Sequence, residues 1–206
     1  MQRTMLRLVT VAIAVCPAVI RAQASKAATY ITDEEVKRVN AEPGIDRTIR
    51  VVDIGNEHLA VGIIHRGATG GGGAGRGAAA AAEPCGEQAG TLPAGSTPGG
   101  ITHDAQTESY IIVSGSGTLV TGGHIVNGRR SAADSDVTQV LNGPSCSGVI
   151  AGPDVVKRAV KTGDIIVIPA GVPHGWTDIA DHVDCLSIRP SDHVLEAGYV
   201  HPALKK

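Results

Sequence analysis

The sequence predicts an all-β sandwich or barrel with a single short helix near its N-terminus. Three observations point there. From Thr48 onward short apolar runs alternate with Gly-containing turns, the pattern of many strands in succession. One helix-opening signal stands ahead of them. The composition, with 27 Gly, no Phe, one Trp and three Tyr, leaves Val, Ile, Leu and Ala to build the core.

The chain opens with Arg3 and Arg7, followed by an uncharged run from Leu8 to Ile20 and then by Ala22-Gln-Ala24. That run is shorter than the ~20 residues a membrane-spanning helix needs. Residues 1–24 therefore read as a secretory signal cleaved after Ala24, and the expected location is secreted or periplasmic. Val15 precedes Cys16 where a lipoprotein signal carries Gly or Ala, which ranks lipidation below simple cleavage. Cleavage leaves 182 of the 206 residues, enough for one core. Three of the 18 Lys+Arg lie in the signal and all 20 Asp+Glu lie after it, so the mature chain carries a charge of −5. No basic face exists to hold phosphate, which makes nucleic acid and, after cleavage, a membrane poor partners.

Residues 25–44 form an N-terminal arm. Thr32-Asp-Glu-Glu35 has the capping-box spacing and starts a helix to about Asn40, stopped by Pro43-Gly44. Residues 45–206 form the single domain. Strands are predicted at Thr48–Ile54 and His58–His65, then at Ser109–Val113, Thr118–Val120, His124–Val126, Val155–Val160, Ile165–Ile168, Gly175–Ile179 and Val183–Ile188. Between residues 67 and 82 every residue but Thr69 and Arg76 is Gly or Ala, a loop composition that cannot bury apolar area. A polar insertion, residues 127–148, interrupts the later strands. Cys85, Cys146 and Cys185 remain after cleavage. The first two sit in turn-rich segments beside Pro and Gly, and export permits a bridge between them with Cys185 buried; all three as packing residues is the alternative.

Two stretches carry the chemistry. The first gives Gly95, five residues, Ile101-Thr-His103, four residues, Glu108, six residues and Gly115. The second gives Gly163, five residues, Pro169-Ala-Gly171, two residues, His174, then Asp178. Together, in order and register, they resemble the two motifs of the cupin family, with Ile101 where the first motif carries its first histidine and Asp178 in an Asn place. The resemblance spans roughly residues 45 to 190 and narrows the fold to a double-stranded β-helix, the cupin jelly roll. It also implies a homodimer.

In such a barrel the motif residues point inward, so the resemblance implies a divalent metal ion held by His103, Glu108 and His174. Two imidazoles and a carboxylate suit Fe, Mn, Zn, Ni or Cu. The missing histidine leaves an additional open position or recruits another donor, and His65 and Gln106 are the candidates. Tyr110, two residues beyond Glu108 on the same strand face, and His65 are candidate catalytic proton carriers. Trp176 stands in the same relation to His174. No Gly-x-Ser-x-Gly elbow, phosphate loop or paired Cys-x-x-Cys occurs, which argues against nucleophilic hydrolysis and nucleotide use. The leading expectation is an exported metal-dependent enzyme acting on a small organic molecule as dioxygenase, lyase or isomerase. The alternatives are a non-catalytic binder of a sugar or other small ligand and a structural barrel without metal.

Overall fold

The computed structural model describes residues 27–69, 82–191 and 195–205. The predicted signal, most of the Gly/Ala loop and His193 lie outside the described residues. Among the described residues no helix is long and apolar enough to cross a membrane.

The arm helix is α1 (Asp33–Asn40). Glu35 N–H donates to Thr32 Oγ1 at 3.3 Å and Thr32 N–H donates to Glu35 Oε2 at 3.2 Å, so the predicted capping box forms and satisfies two otherwise orphaned donors. Acids fill the first turn and Lys37 and Arg38 the last, each complementing the helix dipole. Val39 buries the apolar side of the helix against Ile49 and Ile63 on the back of the barrel.

Eleven strands follow among the described residues: β1 (Asp46–Asp53), β2 (His58–Gly67), β3 (Pro84–Cys85), β4 (Thr97–His103), β5 (Glu108–Thr121), β6 (His124–Arg130), β7 (Ser145–Ala151), β8 (Val156–Lys161), β9 (Ile165–Ile168), β10 (His174–Thr177) and β11 (His182–Ser191). Their pairings are antiparallel. One sheet runs β1-β2-β11-β5-β9 and the other β8-β5-β10-β4-β7-β6-β3, with β5 shared between them. The result is the predicted double-stranded β-helix. Its interior holds Ile64, Tyr110, Ile112, Leu119, Val160, Ile168, Trp176, Val183 and Cys185.

The structure corrects the sequence reading in three places. The two strands expected at Ser109–Val113 and Thr118–Val120 are one, β5, of 14 residues. Its glycines bend it instead of ending it. Gly115 has φ +70°, and a Cβ there would lie 2.0 Å from the His182 carbonyl oxygen, so a side chain is excluded where β5 passes between sheets. Second, β4 lies where no strand was predicted and the short β3 lies in the segment around Cys85 read as turn-rich. Third, the polar segment 127–148 is not one insertion: it contains the end of β6, a five-residue π-helical turn at Val137–Leu141 and the start of β7. β7 begins Ser-Cys-Ser-Gly and lacks an apolar alternation. Its pairing rests on backbone hydrogen bonds and on Cys146 and Ile150, which pack with Cys85, Val120 and Ile125 on the back of the sheet.

Cys85 and Cys146 are joined by a disulfide and Cys185 is buried and free. Linking positions 61 residues apart contributes on the order of 4 kcal/mol in the chain-entropy account.

Candidate metal centre

His103 is the last residue of β4, Glu108 the first of β5 and His174 the first of β10. The rolling of the barrel brings these three strand ends together inside it. The loop of the second motif is tied to the first by Gly171 N–H donating to the His103 carbonyl at 2.8 Å. All three side chains are buried, and one ligand atom from each lies within 4.8 Å of the others. The Nε2 atoms of His103 and His174 each stand 3.2 Å from Glu108 Oε2.

The far side of each ring fixes its tautomer. His174 Nδ1 lies 3.1 Å from the Val172 carbonyl, which only accepts, so Nδ1 carries the proton. His103 Nδ1 lies 3.0 Å from Ser145 Oγ, whose own proton goes to the Gly143 carbonyl at 2.9 Å. Both rings therefore donate from Nδ1, and in the neutral state both Nε2 lone pairs face the same carboxylate oxygen. Burial pushes the His103 pKa down despite the pull of Glu108, which favours that neutral state. Burial alone would raise the Glu108 carboxyl, but the Arg189 charge outweighs it and the group lies well below the usual carboxylate range. Two lone pairs and a carboxylate oxygen converging where the protein buries them repel one another, and a cation among them relieves that repulsion. The donor set fits a divalent first-row ion.

Tyr110 donates its hydroxyl to Glu108 Oε2 at 3.1 Å and stacks on Trp176 with ring centroids 6.1 Å apart. Ile101 lies on the face of β4 that carries His103 and is the cross-strand partner of His174. The position without its histidine thus borders the cluster. Gln106, in the loop between His103 and Glu108, is 1% exposed, and neither its Oε1 nor its Nε2 has a partner within the protein. Asp178 has φ +52°, a left-handed backbone that Asn and Asp tolerate best after Gly, and it accepts a bond from Thr177 Oγ1 at 3.0 Å.

The structure does not bring His65 to this cluster. His65 stands on the outer face of the barrel, its side chain 45% exposed, with Nδ1 bonded to Asp184 Oδ1 at 2.6 Å. The strand alternation that puts Ile64 inward turns its neighbour outward. The other described histidines have local duties too: His58 Nδ1 lies at the Leu195 carbonyl, His124 pairs with Glu87, His182 with Asp181, and His201 accepts the Ala203 N–H at a helical turn.

Sequence reasoning missed the partners of Glu108. Ser187 Oγ donates to Glu108 Oε1 at 2.6 Å, and Arg189 reaches the same oxygen through Nε at 2.8 Å and Nη2 at 2.5 Å. Nη2 also pairs with Asp46 Oδ2 at 2.6 Å. Arg189 is fully buried; burial alone would lower its pKa, but Asp46 and Glu108 outweigh that and raise it. The signal was present: Val183, Cys185, Ser187 and Arg189 alternate along one face of β11, and continuing that period past Ile188 puts a charge inside.

Neither a protein-family model nor a curated protein matches this sequence. Among solved structures, the chain is similar to an uncharacterized conserved protein with a double-stranded beta-helix domain from Klebsiella pneumoniae, at 15% identity and TM-score 0.38 over 82% of this chain and 94% of that one. It is similar to the DMSP lyase DddQ from Ruegeria pomeroyi at 16% identity and TM-score 0.33 over 72% of this chain, and it spans 45% of that protein's length. It is also similar to an oxalate oxidase, at 16% identity and TM-score 0.33, over 75% of this chain and 55% of that one. Likenesses at this level say nothing of substrate or reaction.

Proposed function

We propose that this chain is an exported, cupin-type metalloprotein in which His103, Glu108 and His174 hold a divalent cation and which turns over a small organic molecule as a dioxygenase, lyase or isomerase. One observation carries the reading. Both Nδ1 protons are committed to Ser145 and Val172, so the Nε2 lone pairs and Glu108 Oε2 converge with no proton of their own to separate them. A bound divalent ion supplies Lewis acidity and, where it is redox-active, electron-transfer chemistry.

The chain's own residues do the remaining work. Ser145 and the Val172 carbonyl orient the two imidazoles, a support that metal-binding histidines ordinarily need. Tyr110 keeps its proton, because burial and then the Glu108 charge raise its phenol well above the usual range. It serves as a hydrogen-bond donor to Glu108 Oε2, the oxygen that faces both imidazoles. His65, bonded to Asp184 on the outer face, takes no part. The Cys85–Cys146 bridge supports an oxidising compartment, secreted or periplasmic. Ile165 and Val167 on β9, 70% and 64% exposed, lie on a strand whose pairing is to β5, an apolar sheet edge that supports a homodimer.

The test is elemental analysis of the mature protein, expressed with export and kept from chelators and histidine tags. Near one Fe, Mn, Ni, Cu or Zn per chain supports the reading and selects the substrate screen. Negligible metal after incubation with excess divalent ions overturns it in favour of a non-catalytic ligand-binding or structural barrel.

A further inference from the structure

The two oxygens of Glu108 have separate duties. Oε2 faces both Nε2 atoms and receives the Tyr110 hydroxyl. Oε1 faces away, taking Ser187 Oγ at 2.6 Å and the Nε and Nη2 groups of Arg189 at 2.8 and 2.5 Å. A guanidinium presents these two donors as a rigid fork. Nη2, common to both contacts, also donates to Asp46 Oδ2 at 2.6 Å, which ties the guanidinium to β1 as well. Gly62 leaves room for it: a Cβ at that position would stand 3.3 Å from Arg189 Nη1 and 3.0 Å from the Arg47 carbonyl oxygen.

We infer that Arg189, anchored by Asp46, is a positioning residue for the cation, fixing Glu108 through Oε1 so that the carboxylate offers Oε2 alone. The inference rests on the metal-site reading above. Asp46 has a part of its own. A guanidinium given wholly to Glu108 would neutralise the carboxylate that attracts the ion. Shared between two carboxylates, it leaves one net negative charge on the trio, so the orienting contact costs the site little of its attraction. Arg189 lies outside both sequence motifs and touches neither histidine in this arrangement. A purely structural ion pair would affect folding and leave the cation indifferent.

The experiment uses cobalt(II) as probe, with affinity measured by chelator competition and the ligand set read from its visible absorption. The paired variant Asp46→Asn/Arg189→Gln keeps the net charge of the trio and leaves Glu108 as its one buried charge, still hydrogen-bonded by Ser187 and Tyr110. It is expected to fold, by circular dichroism, and to bind cobalt about 10- to 100-fold more weakly, the usual cost of losing an orienting partner, with an altered absorption spectrum. Asp46→Asn alone is expected to weaken binding with the spectrum kept, because only charge changes. Ser187→Ala, which removes one holder of Oε1 and no charge, is expected to weaken binding several-fold and carries the test if the paired variant does not fold. Unchanged affinity and spectrum in the variants that fold would make Arg189 a structural pair and leave the metal site standing. No cobalt uptake by the unaltered protein, at any added concentration, would instead remove the site and this inference with it.

Discussion

Two clusters in this barrel draw on the same chemistry, a pair of histidines with carboxylate and serine, and they are built oppositely. On the outer face, His65 and His182 lie stacked with ring centroids 6.2 Å apart. Their Nδ1 atoms meet Asp184 and Asp181, each at 2.6 Å, and Ser114 bridges Asp184 and His182 at 2.7 and 3.1 Å. Every carboxylate there meets a proton donor, and the rings lie side by side. Inside, the serine and a carbonyl take the Nδ1 protons of His103 and His174, and the free Nε2 atoms point at one oxygen. A cation site therefore depends less on having histidine and acid together than on where the protons of the histidines are spent.

The largest effect expected from this contrast is at His174. His174→Ala is expected to strip most of the bound metal, measured per chain by elemental analysis, while the circular dichroism spectrum stays that of an all-β protein. His65→Ala, removing a histidine of the outer cluster, is expected to leave metal content unchanged. Equal metal in both variants would erase the distinction between the clusters. The next effect is on stability. Arg189→Met leaves Glu108 and Asp46 buried without their shared cation and is expected to cost about 3–5 kcal/mol, read as a lowered denaturant midpoint. Asp184→Asn in the outer cluster, where solvent screens the charges, is expected to cost less than about 1 kcal/mol. Comparable losses would mean that the interior pair is solvated in solution.

How much of this was legible follows the same division between spacing and pairing. The candidate ligands were legible because Gly95 to Gly115 and Gly163 to His174 keep the intervals of the motifs they resemble, and Tyr110 because it lies two residues beyond Glu108 on the same strand face. The disulfide was one of two readings that the Pro and Gly beside Cys85 and Cys146 left open, and the structure has the bridge. The reading of β4 and β7 failed because Thr97-Pro-Gly-Gly and Ser145-Cys-Ser-Gly lack apolar alternation; their strand character comes from partners distant in sequence. His65 misled for a related reason. A strand period gives two faces without saying which is inner, and the neighbours Ile64 and His65 divide between them. Arg189 was overlooked because an arginine after an apolar strand ordinarily reads as its solvated end. Its place inside depends on Asp46, 143 residues earlier in the chain.

The smallest effect sharpens the contrast at the position where this chain departs from the motif it resembles. Ile101 lies two residues before His103 on the same face of β4 and directly opposite His174 on β10, so a histidine there enters on the side of the existing donors. Ile101→His is expected to slow cobalt or zinc loss to a competing chelator by about tenfold, equivalent to about 1.4 kcal/mol on the barrier to release. The gain is modest because the new imidazole has no orienting partner of the kind Ser145 gives His103, and because exchanging a partly buried isoleucine for a polar ring sets desolvation against coordination. An unchanged rate of loss would place the side chain at 101 beyond reach of the ion, and the open side of the centre would then be sought at the unpartnered amide of Gln106. A rate slowed far beyond tenfold would mean that the barrel already provides a partner for the new ring, leaving Ile101 the main barrier to a fourth protein ligand.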